Sequence, residues 1–75
     1  MEKYGFVYIW YDSWQKMYYI GCHWGQETDG YVCSSKRMRD AFRRRSVDFK
    51  RRIVKTNISK RKETFIEEQR WLNMI

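Results

Sequence analysis

Proline is absent from this chain, histidine occurs once, cysteine twice and glycine four times. With no proline and no Gly/Ser-rich stretch, nothing has the composition of a linker, so residues 1–75 read as one unit. Two thiols cannot build the dense disulfide framework that staples small secreted domains. Cys22 and Cys33, even with His23, offer too few ligands at too wide a spacing for a structural zinc site. The default for both cysteines is a reduced, buried thiol. Long apolar runs are missing too: nothing approaches the roughly 20 residues of a membrane span. The opening Met1-Glu2-Lys3-Tyr4 carries an acid where a signal peptide would begin its approach to an apolar core. The expected location is therefore the cytoplasm, with no membrane partner.

What is present is aromatic and basic. Hydrophobic residues make up 43% and aromatic residues 19%, too much apolar surface for a disordered tail. A chain this short buries only about 60% of its unfolded surface, which suffices for one small core. Lys and Arg number 16 against 9 Asp and Glu, a net charge of +7, so the surface potential favours a polyanion. The charge is unevenly placed. Residues 4–33 hold nearly all the Tyr, Trp and Gly, and residues 36–62 most of the Lys and Arg.

Gly5–Tyr11 and Lys16–Gly21 are rich in Val, Ile, Tyr and Trp, and Asp12-Ser13-Trp14-Gln15 between them has turn composition. This predicts a β-hairpin. A symmetric turn sets Tyr11 against Lys16, Tyr8 against Tyr19 and Trp10 against Met17, with opposed residues sharing a face. The other face then carries Val7, Ile9, Tyr18 and Ile20, an apolar set suited to packing under helices. Cys22–Cys33, with its glycines and an Asp-Gly pair, reads as a long loop. Ser34 and Ser35 offer an N-cap for a helix in which Met38, Ala41 and Phe42 recur at helical spacing up to Arg45. Asp48–Thr56 alternates, with Phe49, Arg51 and Ile53 on one side, and predicts a third strand. Ser59 would cap a final helix running to the end. The expected fold is α+β: a small three-stranded antiparallel sheet flanked by helices, in the order β-β-α-β-α.

The final helix contains an anomaly. At about 100° per residue, Phe65, Ile66, Leu72, Ile75 and Trp71 define an apolar arc and Glu68 falls inside it, whereas Glu67 lies near the opposite side. An inward carboxylate is costly unless it is paired, protonated or bound to a cation. Either a functional role or a salt bridge to one of the arginines would satisfy Glu68.

Taken together, these residues resemble the GIY-YIG nuclease family. Phe6-Val7-Tyr8, followed eleven positions on by Tyr19-Ile20-Gly21, is similar to its signature pair of hairpin strands. Ser34-Ser35 with Met38, Phe42, Phe49 and Ile53 resembles the stretch that phage homing endonucleases place before and within their third strand. Glu-Gln-Arg-Trp-Leu at 68–72 resembles the helix bearing the family's metal-binding glutamate. The resemblance covers almost the whole chain, in order. It implies an endonuclease that hydrolyses DNA phosphodiesters in a phage or mobile-element setting, with one divalent ion, Mg²⁺ or Mn²⁺, held by Glu68, waters and a phosphate oxygen. Tyr8 would be the general base, which requires a phenol pKa lowered from about 10 by nearby cations, and Tyr19 would orient the phosphate or the nucleophile. The family's arginine-bearing helix after the second motif has no counterpart in Cys22–Cys33, which contains no arginine. His23, Arg37 and Arg39 are the candidates to supply that missing proton donor or charge.

Other basic residues have a plainer expectation. Lys16, Arg43-Arg44-Arg45 and Lys50-Arg51-Arg52 are suited to holding the phosphate backbone, an affinity independent of sequence and weakened by salt. Trp14 and Trp24 are suited to stacking on bases or to packing over the hairpin. A domain this small has few elements to read bases, so target choice would fall to a partner domain. Monomer and homodimer both stay open. Two readings from other classes also remain: a non-catalytic nucleic-acid-binding module using stacking and charge, and a protein-interaction domain using exposed aromatics.

Overall fold

In a computed structural model the chain has the order β1 (Tyr4–Asp12), β2 (Met17–Gly25), α1 (Lys36–Arg44), a 3-10 turn (Ser46–Asp48), β3 (Phe49–Ile58) and α2 (Arg61–Asn73). The structure describes residues 3–33 and 35–74; Ser34 and Ile75, named above for the first helix cap and the last apolar arc, lie outside them. The three strands form one antiparallel sheet in the order β2-β1-β3, so β2 and β3 are both edges. This is the expected α+β, β-β-α-β-α architecture. No helix among the described residues is long and apolar enough to cross a membrane.

The hairpin register differs from the symmetric-turn expectation by two residues. Asp12 stays in β1 opposite Met17, and the loop is Ser13–Lys16. The cause is chemical. One Asp12 carboxylate oxygen accepts the backbone N–H groups of Trp14 (3.0 Å) and Gln15 (3.2 Å), and both oxygens bond the Arg45 guanidinium (3.2 and 2.9 Å). Lys16 adopts a left-handed backbone, φ 55°, which ends the turn. Tyr8 consequently lies opposite Gly21, and Tyr19 opposite Trp10. A shift of two residues keeps every side chain on its predicted face. Pairing also runs on past Gly21 to Tyr4↔Gly25, so Cys22–Gly25 is strand and the true loop starts at Gln26.

The main core lies on the tyrosine face, not the Val7/Ile9 face. Phe6, Tyr8, Trp10, Cys33, Met38 and Phe49 are buried together beneath α1 and the loop before it. Aromatic rings with polar tips can be buried when the tip finds a partner, and the Trp10 indole N–H donates to the Val32 carbonyl at 2.9 Å. Ser35 caps α1, its hydroxyl accepting from the Met38 N–H at 3.3 Å. Phe49, Arg51 and Ile53 share the core side of β3 as expected. Further along, β3 slips register twice against Gly5–Tyr8, and Asn57 takes φ 59° before the buried Ile58.

Helix α2 covers part of the opposite face. Lys60, not Ser59, is its N-cap, and it makes no side-chain cap bond. The helix faces inward by one flank of the predicted arc, the side of Glu68 and Trp71, and not by its centre at Phe65 and Leu72. Thr64 is buried, and Glu67, Glu68 and Trp71 are half-buried. Phe65 is 56% exposed and Leu72 43% exposed. The reason is the Thr64–Gly5 contact: a Cβ on Gly5 would collide with the Thr64 side chain, so helix and strand approach too closely for a phenyl ring at the seam.

Candidate active site

Edge strand β2 separates the two packed faces, and the candidate site wraps around it. A cleft of about 410 Å³ opens between β2 and the start of α1, with Tyr8, Tyr19, Gly21, Cys33, Ser35 and Glu68 in its walls. Tyr8 comes from the central strand, Tyr19 from the edge strand and Glu68 from α2. The three residues singled out from sequence therefore line one cavity, although Tyr8 and Tyr19 are not directly paired.

Tyr8 is only 2% exposed. Its phenol passes over Gly21, where any Cβ would overlap the Tyr8 hydroxyl. The glycine of the second motif thus makes room for the tyrosine of the first. Burial pushes the phenol pKa well above the ordinary tyrosine value, with the Tyr31 hydroxyl and then the Cys33 and Cys22 thiols raising it further. The lowered pKa expected for a general base is not what these protein groups produce: on their own they hold Tyr8 protonated.

Glu68 is half-buried and makes no ion pair among the described residues, so the salt-bridge alternative is not realised there. Its neighbour is Cys22. Burial first, then the hydrogen bond to and the negative charge of Glu68, push this thiol up to about 12. Cys22 is therefore a protonated donor near neutral pH and not a thiolate ligand. Cys33 is likewise a free, buried thiol. Glu67, by contrast, pairs with Arg70 one turn away at 3.7 Å.

His23 is committed elsewhere. One ring nitrogen lies 2.7 Å from an Asp29 carboxylate oxygen, and the ring stacks on Tyr31 at 3.7 Å, 6° from parallel. Desolvation disfavours the Asp29 charge, yet the Tyr31 N–H, His23 and the Gln26 N–H together hold the carboxyl below its ordinary range. His23 lines a second cavity on the far side of Glu68 rather than the tyrosine cleft. Arg39 donates to the Cys33 carbonyl at 3.3 Å, beside the cleft wall, but neither Arg39 nor Arg37 lines it. Both are exposed on α1.

The predicted phosphate-binding set divides. Lys16, Arg43, Arg44, Lys50 and Arg52 are exposed. Arg45 is not free: it holds Asp12 and, at 3.2 Å, Asp48, and it lies over the rings of Trp14 and Phe49. Arg51 donates to the Glu27 carbonyl at 2.9 Å and lies over Phe6 and Trp10. These two arginines tie the structure together. Lys50 and Arg52 sit on edge strand β3, with β1 between them and the cleft.

Sequence reasoning missed Tyr31, Asp29 and Arg61. The Asp29-Gly30 pair marks a turn, and an aspartate that accepts N–H groups on both sides, Gln26 at 3.3 Å and Tyr31 at 3.0 Å, is a readable turn signal. That this turn lays Tyr31 on His23 depends on the extension of β2, which composition alone does not reveal. No known protein family, no curated protein and no solved structure matches the chain.

Proposed function

We propose that this domain is a metal-dependent endonuclease that hydrolyses DNA phosphodiester bonds, with Mg²⁺ or Mn²⁺ as cofactor. The observation supporting this reading is that Tyr8, Tyr19 and Glu68 line a single solvent-open cleft. Glu68 is the residue that would hold the cation, since its half-buried carboxylate faces the cavity without a cationic partner among the described residues. No group of three or more His, Cys, Asp and Glu stands together among those residues. A single carboxylate still suits a hard cation that keeps most of its waters and adds a substrate oxygen. When bound, the cation supplies neutralisation of the charge that develops on the phosphate and makes a nearby water more acidic.

The chain's own residues supply the rest. Tyr8, fixed over Gly21, acts in its phenolate form: it orients the attacking water and takes its proton as the new bond to phosphorus forms and the bond to the departing ester oxygen breaks, that oxygen taking a proton from solvent. Because its surroundings favour the neutral phenol, turnover rises with pH from neutrality into the alkaline range. Tyr19 donates to a non-bridging phosphate oxygen. Arg39, anchored beside the cleft, brings positive charge from α1, and Arg37, Arg43, Arg44 and Lys16 contact the backbone of the DNA. Target selection belongs to a partner domain, and the setting this reading implies is the cytoplasm of a phage-infected cell.

The rival reading, a nucleic-acid-binding module without turnover, draws on the protonated state of Tyr8. Nicking of supercoiled plasmid separates the two. With Mg²⁺, the wild type nicks, and Glu68→Gln and Tyr8→Phe each slow it at least about 100-fold. Both variants keep salt-sensitive DNA binding. A wild type that binds but does not nick with either cation between pH 6 and 9 would leave only the binding module.

A further inference from the structure

Against the other side of Glu68 lies a cavity of about 360 Å³ that the hydrolytic step does not use. Its walls are the Trp24 indole at the end of β2, the Phe65 ring from the first turns of α2, and the stacked pair His23 and Tyr31. Arg61, in the first turn of α2, stands at the rim and has no hydrogen bond or ion pair among the described residues. The cavity is built rather than incidental. Asp29 fixes the stack from both sides, bonding the His23 ring at 2.7 Å and the Tyr31 N–H at 3.0 Å. Phe65, more than half exposed, contributes little to the core but presents a ring to this space.

Flat aromatic walls beside an uncommitted guanidinium suit one chemical class: a planar base joined to a phosphate. We propose that this cavity is a nucleotide subsite, which receives one unstacked base against Trp24 and Phe65 while Arg61 takes the adjoining phosphate. The inference deepens the nuclease reading and rests on it for direction. Both cavities include Glu68, so a strand whose scissile phosphate sits in the tyrosine cleft carries its next nucleotide into this one. A base can enter only after leaving its stack, and the preferred substrate is therefore single-stranded or locally unpaired DNA.

The test is a binding titration in EDTA, which needs no turnover. A fluorescent single-stranded octanucleotide is compared with versions carrying one abasic site at each position in turn. The expected result is one position at which base loss weakens binding about tenfold. Phe65→Ala, at an exposed position, abolishes that penalty. Arg61→Gln weakens all the oligonucleotides and lowers the salt slope by about one. Equal binding of intact and abasic strands at every position overturns the subsite, as does a penalty that survives both Phe65→Ala and Trp24→Leu. Failure of the parent reading looks different: a protein that shows the abasic penalty but never nicks plasmid keeps the subsite and loses the hydrolase, whereas equal nicking of strands with and without the base keeps the hydrolase and loses the subsite.

Discussion

The two faces of the sheet are covered in opposite styles. Beneath α1, Phe6, Tyr8, Trp10, Met38 and Phe49 interlock, and the turn end is fastened by Asp12 and Arg45. Helix α2 lies against all three strands and approaches most closely at Thr64 over Gly5, while its larger apolar residues Phe65, Ile66 and Leu72 remain substantially exposed. The lesson is one of labour division. The α1 face holds the buried aromatic cluster and fixes Tyr8; α2 lies across the strands on the other face and delivers Glu68, with Phe65 and Arg61 of the second cavity. Glu68 and Tyr8 line one cavity although α2 covers one face and Tyr8 belongs to the core on the other, because β2 is an edge strand around which the cavity can extend.

That contrast can be broken by substitution. Phe6→Ala, on the interlocked face, should cost about 3–5 kcal/mol in urea unfolding, whereas Leu72→Ala on α2 should stay within about 0.5 kcal/mol. Comparable losses at the two positions would erase the distinction. Asp12→Asn should destabilise next most strongly at pH 7, and its effect should depend on pH in a defined way. The Arg45 guanidinium, followed by the turn N–H groups, holds the Asp12 carboxyl below its ordinary value in spite of burial. The folded protein therefore binds this proton less readily than the unfolded chain, and the contribution is complete above the unfolded pKa of about 3.9. It is lost as pH falls from there through the folded value. Unfolding at pH 7 and pH 3 should differ less for Asp12→Asn than for the wild type. At the small end, Lys16→Gly should stabilise by up to about 1 kcal/mol, because only glycine takes a left-handed backbone without strain. A loss there would mean that the Lys16 side chain, and not the turn geometry, sets the hairpin register.

Much of this plan is legible in the sequence. Alternating β-branched and aromatic residues specify three strands, Ser35 marks the start of α1, and Tyr8 and Tyr19 share a face in both the symmetric register and the observed one, which differ by two residues. The register itself is not legible, because it depends on Asp12 finding Arg45, the residue that ends α1, 33 positions away. The orientation of α2 fails for a related reason. Hydrophobicity points to Phe65 and Leu72, but a side chain the strand lacks, at Gly5, decides which stripe can come close. Glu68 is inward all the same, because it lies on the flank of the arc that does come close. The basic clusters mislead most: a run of three arginines looks uniform, yet Arg43 and Arg44 face solvent while Arg45 serves as a structural tie.

Gly5 has a consequence that extends beyond packing. It works as the seat of a pivot, with α2 resting on it and the acid carried a turn further along the lever. Any side chain at that seat would collide with Thr64 and act as a shim under the helix that carries Glu68. The placing of the acid at the cleft is thus tied to a glycine that does not line it.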